Sequence, residues 1–243
     1  METPMAARAK TFLLCHGAWS GGWAWKKMHP LMAQAGHRLV APTYTGLGER
    51  SHLANPSIDL ETHIQDILNV IKFEDLSDLV LLGHSYGGMV ATGVADRARE
   101  RVTQLIYLDA FVPRDGQSLF DLNESGREPM RKAAAAGDGY RIPPNPPPPD
   151  TPQADLDWLN ARRINMPIKC FETKLKLELE HGDPPMPRSY IYCTRIPPGD
   201  VFGQFAKHTK NEDGWRYFEL DASHAPNVTA PAALMAVLNE IAA

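Results

Sequence analysis

The sequence predicts an α/β fold: a mostly parallel six-stranded sheet with helices on both faces and one inserted segment. Strand-like runs alternate with helix-spaced stretches along most of the chain. The runs are apolar throughout rather than at every second residue, as expected of strands covered on both faces. The alternation stops between about 113 and 188, where most of the 21 prolines gather.

In order, residues 11–15 (TFLLC) read as the first strand. Residues 22–35 have helical spacing, with Pro30 confined to an end or a kink. Gly36 stops that element, and 37–41 (HRLVA) form the second strand. Pro, Gly, Ser and Asn make 42–57 a loop. Ile64, Ile67, Leu68 and Ile71 share one face of a helix over 59–73. Residues 78–82 (DLVLL) are a buried strand, 86–100 a helix and 102–108 a strand. Strands at 189–194 and 215–220 and helices at about 201–211 and 228–242 complete the core. The core is therefore 1–112 with 189–243, and 113–188 is a cap inserted between two core strands. Residues 141–152, with Pro143, Pro144 and Pro146–Pro149, are its extended linker, because a Pro-rich run cannot join a sheet or a helix interior. Trp158, Leu159, Ile164 and Leu175 offer the cap apolar faces to bury, against the alternative of a disordered loop.

A chain of 243 residues suits one α/β domain, and 43% hydrophobic with 22% charged residues supports a sizeable core. A formal net charge of -4 provides no basic footprint for nucleic acid and no polybasic membrane patch. No stretch approaches the roughly 20 apolar residues of a membrane span. The run Phe12–Cys15 is too short for a signal-peptide core, and no small-residue cleavage site follows it. Cys15, Cys170 and Cys193 show no metal-ligand spacing and read as free thiols in a reducing cytoplasm.

The chemistry concentrates at Gly83-His84-Ser85-Tyr86-Gly87, a Gly-x-Ser-x-Gly pattern. It follows the strand Leu79–Leu82 and opens a helix containing Met89, Val90, Val94 and Ala95. A sharp strand-to-helix turn needs glycine on both sides, and it lifts the serine hydroxyl above the sheet at a helix N-terminus. Ser85 is the candidate nucleophile. The first strand ends in His16-Gly17-Ala18-Trp19, the loop that supplies one backbone N–H of an oxyanion hole in such a fold. Ala18 and Tyr86 are the expected donors, with His16 bracing the loop.

These segments carry a resemblance. His16–Trp19, Gly22-Trp23-Ala24-Trp25, His29-Pro30-Leu31, Ala35-Gly36-His37 and Val40-Ala41-Pro42 resemble the plant methylesterase and hydroxynitrile lyase group of α/β-hydrolases, and related bacterial esterases. Gly83–Met89, Leu108–Pro113 and Tyr190–Thr194 continue the match, which is loose across 114–188. The resemblance implies the α/β-hydrolase fold and cleavage of a small-molecule ester by a serine hydrolase of the carboxylesterase type, with no metal or organic cofactor. From the net charge and the lack of an apolar span, no nucleic-acid or membrane partner is expected, and a homodimer stays open.

A triad in this fold needs a late histidine after the last strand. His224, in Asp221-Ala222-Ser223-His224-Ala225-Pro226, meets that requirement. His52, His63, His181 and His208 lie in polar surroundings and read as solvated, and His84 as a pocket-shaping neighbour of the serine. The acid is contested. In the plant esterases it lies two residues after the threonine of the Cys-Thr strand end, which here is Ile196. Asp200 is the nearest carboxylate. Asp109, directly after Leu105–Leu108, is preferred, because a carboxylate there is costly to bury unless it has a partner. Asp200 would then cap the helix starting near Val201. Phe111, Phe120, Trp158 and Met166 are expected to line an apolar pocket.

Several alternatives stay open: a lyase, a non-catalytic receptor-like member, or a hydrolase of lactone, amide or carbon–carbon bonds. The lyases of this group carry a lysine directly after the histidine and a threonine in the oxyanion loop. Here those positions are Ala225 and Gly17.

Overall fold

The computed structural model describes residues 9–178, 186–196 and 199–243. The sheet begins with β1 (Thr11–Cys15), and β2 (Arg38–Val40) lies parallel beside it. On the other side of β1 follow β3 (Leu79–His84), β4 (Val102–Leu108), β5 (Arg188–Cys193) and β6 (Trp215–Leu220), every pairing parallel. The strand order is β2-β1-β3-β4-β5-β6. Parallel neighbours require crossovers, and four of them are helices: α1 (Met28–Gln34), α2 (Leu60–Phe73), α3 (Gly87–Arg97) and α4 (Gly203–Asn211); α5 (Pro231–Ala242) follows the last strand and packs on the sheet. Alternate residues of one strand feed opposite cores. Leu13 and Cys15 join Ile64, Ile67 and Val90 on one face of the sheet. Phe12 and Leu14 join Met28, Leu234 and Leu238 on the other.

Proline moved two of the expected helices. The stretch expected as one helix over 22–35 is a 3-10 turn at Gly22–Trp25 followed by α1. Pro30 would clash with the Lys26 carbonyl if helix ran through, so it sits in the first turn of α1, where its missing N–H costs nothing. The last helix likewise divides into a short turn, Pro226–Thr229, and α5, which starts at Pro231. The loop at 42–57 holds a 3-10 turn at Gly48–Leu53. In α2, Asp59 and Thr62 form a reciprocal capping box that fixes its start.

The segment between β4 and β5 has helices at Leu119–Leu122, Glu124–Ala136, Gln153–Asn160 and Lys169–Glu172. Arg141–Ile142 pairs antiparallel with Met166–Pro167. Phe120, Met166, Phe171 and Leu175 are buried in the same core cluster as Tyr86 and Phe111. The Trp19 indole N–H reaches across to the Ile142 carbonyl at 3.0 Å.

Backbone segments converge where β3 turns into α3. A Cβ on Gly87 would lie 1.9 Å from the Cys15 carbonyl oxygen, and one on Gly88 would lie 2.0 Å from that of Phe111. Gly87→Ala is therefore expected to cost about 3 kcal/mol or more, since backbone rather than a flexible side chain must move. Gly36→Ala, where nothing lies within 4 Å of the added carbon, should cost about 1 kcal/mol from its positive φ alone. Urea midpoints of the two variants check the order.

Candidate active site

Ser85 occupies the turn between β3 and α3 with φ +57°, in the left-handed region that a non-glycine residue enters at a cost. The turn is held from both sides. The Ser85 carbonyl accepts from Gly88 N at 3.0 Å and from Phe111 N at 3.2 Å. The Ser85 N–H donates to the Leu108 carbonyl at 3.3 Å.

His224 lies on the loop after β6. Its Nε2 is 3.0 Å from Ser85 Oγ and its Nδ1 is 2.7 Å from Asp109 Oδ2. Asp109 follows β4, is 4% exposed, and also has a positive φ, +42°. Its Oδ1 accepts the Cys193 N–H of β5 at 3.2 Å. A carboxylate can only accept, so Nδ1 carries the imidazole proton and Nε2 presents its lone pair to the serine hydroxyl. The His224 ring stacks on Phe202, with centroids 4.7 Å apart and planes 10° apart. The loop is fixed by His84, whose Nε2–H donates to the His224 carbonyl at 2.7 Å.

The structure thus brings Ser85, His224 and Asp109 together, and it leaves Asp200 outside the cluster. Asp200 instead accepts from Phe202 N at 2.8 Å, Gly203 N at 2.9 Å and Tyr192 OH at 2.8 Å, holding the start of α4. Ile196 is 52% exposed.

Ala18 and Tyr86 both line the cavity beside Ser85. Among the described residues, neither backbone N–H finds an acceptor. Gly17 leaves little room there: a Cβ would come within 3.2 Å of the Ser85 Cβ. Trp19, at φ +58°, turns the chain sharply after Ala18. Behind this loop, His16 accepts from Tyr44 N at Nε2 (3.2 Å) and donates from Nδ1 to the Gly17 carbonyl (2.8 Å).

One histidine departs from the expectation. His63 is fully buried rather than solvated, because α2 turns it inward to a polar pair. Its Nε2–H donates to the Thr45 carbonyl (3.1 Å), and its Nδ1 accepts the Tyr86 hydroxyl (2.9 Å). Burial raises the Tyr86 pKa well above its usual value, so the phenol stays a donor. His52 is exposed and His208 pairs with Glu212 at the surface, while His181 lies outside the described residues.

The cavity measures about 980 Å³. Of the four expected lining residues, only Phe111 lines it. Phe120, Trp158 and Met166 do not, because they pack into the insertion or against its neighbours. Leu119, Met130, Leu159, Phe171 and Phe202 supply the apolar wall instead, and Pro146–Pro149 run along it. Nothing periodic in the sequence marks those positions.

A model of the alpha/beta hydrolase family matches residues 12–237. The chain belongs to that family. It is similar to the "Carbendazim hydrolyzing esterase" of Nocardioides sp. (strain SG-4G), 39% identical over 230 residues, covering 90% of this chain and 94% of that one. It is also similar to polyneuridine aldehyde esterase of Rauvolfia serpentina, 28% identical over 115 residues, covering 47% of this chain and 44% of that one. Among solved structures, an extracellular α/β-hydrolase from a Paenibacillus species superposes with a TM-score of 0.81 at 26% identity, covering 95% and 98% of the two chains. The protein is a hydrolase of the carboxylesterase type. Among the described residues, no helix is long and apolar enough to cross a membrane.

Three imidazoles frame the site in the neutral form. Burial pulls the pKa of His16 and His84 down to about 3 and that of His63 to about 4. Each folded-state value lies below that of the unfolded chain, so the unfolded state takes up protons first as pH falls. The stability these groups contribute is complete above about pH 6.5 and is lost toward their folded values. Three such groups should make stability fall by roughly 4 kcal/mol per pH unit below pH 6. Urea midpoints at pH 7, 6 and 5 measure the slope. A midpoint constant over that range would mean the three are charged in the folded protein.

Proposed function

We propose that the protein hydrolyses small carboxylic esters through an acyl-enzyme formed on Ser85, with His224 as base and Asp109 as its acid. The observation that carries this reading is the unbroken hydrogen-bonded series Ser85–His224–Asp109 lining one cavity. His224 Nε2 takes the hydroxyl proton as Ser85 Oγ attacks the ester carbonyl. It then returns that proton to the leaving alcohol. Asp109 holds the Nδ1–H tautomer and stabilises the imidazolium that forms. The Ala18 and Tyr86 amides receive the oxyanion, each worth roughly 3 kcal/mol in the transition state. Water deprotonated by His224 releases the acid product. The insertion between β4 and β5 acts as a cap that shields these steps from bulk solvent, which strengthens every charge interaction in the cavity. A volume of about 980 Å³ suits an acyl or alcohol group of drug-like size.

The relative's name makes carbendazim one member of a suitable substrate panel, alongside p-nitrophenyl and methyl esters of graded acyl size. Ser85→Ala should abolish hydrolysis of every active ester while the thermal midpoint stays within a few degrees of wild type. Turnover within tenfold of wild type would remove Ser85 from its role.

The acid is tested by two variants on one ester. Asp109→Asn offers His224 a side chain that can rotate its amide to the imidazole and favour the wrong tautomer. A loss of at least about a hundredfold in kcat is expected. Asp200→Asn should lose less than about tenfold, since its partners belong to the start of α4. The opposite ranking would reassign the acid.

A further inference from the structure

The cavity contains a cation whose charge no carboxylate among the described residues balances. Arg163 lies just past the helix Gln153–Asn160, half-buried in the cavity wall. Its Nη1 donates to the Asn145 carbonyl at 2.5 Å, and its guanidinium sits 5.9 Å from the centre of the Trp19 ring. No carboxylate among the described residues pairs with it. The other charges around the cavity are all engaged. Arg195 pairs with Asp221 and Asp150, Asp109 with His224, and Asp200 takes three donors at the start of α4. Burial lowers the Arg163 pKa from its usual value, and no neighbouring anion raises it.

A guanidinium brings five N–H donors in a planar fork, and here one of them is used. Withdrawing such a cation from water without an anion is unfavourable, and a fold keeps it there at a cost to stability. The adjacent wall sharpens the point. Pro146–Pro149 carry carbonyls and no N–H, and Arg163, bound to the Asn145 carbonyl at the head of that run, places a donor beside it.

We propose that Arg163 is a specificity-determining residue that binds a carboxylate on the substrate. The preferred substrates are then acidic esters, half-esters of dicarboxylic acids whose free carboxylate lies several atoms from the scissile bond. The carboxylate would meet the guanidinium through two parallel hydrogen bonds, a geometry that lysine cannot reproduce. This rests on the esterase reading above, because Arg163 and Ser85 share one cavity.

The test compares monomethyl with dimethyl esters of adipic, suberic and sebacic acid, which differ only in the free carboxylate. Wild type should favour the monomethyl ester at one chain length by at least about tenfold in kcat/KM, expressed in KM rather than kcat. Arg163→Met should bring that ratio to one or below, and Arg163→Lys should keep part of it. A wild-type preference for the dimethyl ester at every length overturns the proposal. So does a preference that survives Arg163→Met. Calorimetry separates this inference from the esterase reading. Monomethyl suberate should bind the Ser85→Ala protein at least about tenfold more tightly than the Ser85→Ala, Arg163→Met protein. Equal affinities overturn the role of Arg163, whereas a wild type that binds the half-ester but cleaves no ester overturns only the esterase reading.

Discussion

The turn that presents Ser85 constrains almost everything around it. A residue with a side chain is held at φ +57° between a strand and a helix, and the strain is tolerated because the surrounding backbone over-determines the position. The end of β1 passes so close to Gly87, and the chain after β4 so close to Gly88, that neither position admits a Cβ. The same crowding puts three loops within reach of one hydroxyl. The loop after β1 carries Ala18, the residue after β4 is Asp109, and the loop after β6 brings His224. The site is therefore a property of the carboxyl edge of the parallel sheet, where strand ends lie side by side and their loops share one crevice.

A layer of neutral histidines stabilises this edge. His16 ties the loop after β1 to Tyr44, His84 ties the turn to the His224 loop, and His63 ties Tyr86 to the Thr45 carbonyl. Each ring uses one nitrogen to donate and is too deeply buried to charge near neutrality. Buried imidazoles of this kind join a backbone carbonyl to a second polar group without placing a charge beside the serine. Asp109 and His224 can then form their pair without competing cations from the frame.

The insertion between β4 and β5 determines the shape of the cavity. Its Phe171 and Leu119 pack on the site, while the proline run supplies a wall with acceptors and few donors. Among the described residues, Arg163 is the cationic side chain of the cavity that has no carboxylate partner.

Much of the architecture could be read from the chain itself. The apolar runs of the four central strands, separated by helix-spaced stretches, sufficed for the parallel sheet, because a strand buried on both faces has no polar side to disguise it; the edge strands β2 and β6 are partly exposed. The glycine spacing around Ser85 marked the turn, since its steric demand is local. The helix ends were less legible where Pro30 and Pro231 broke a continuous pattern. The pairing of His224 with Asp109 rather than Asp200 depends on tertiary contacts: Asp200 is taken by the start of α4 and Tyr192, while the loop after β6 reaches across β5 to the end of β4, 115 residues earlier. The burial of His63, the exclusion of Phe120, Trp158 and Met166 from the cavity, and the inclusion of Arg163 depend on how the insertion packs onto the sheet. Local sequence determines turns and periodicity through short-range sterics. Which distant side chains meet is decided only when long-range burial brings their elements together.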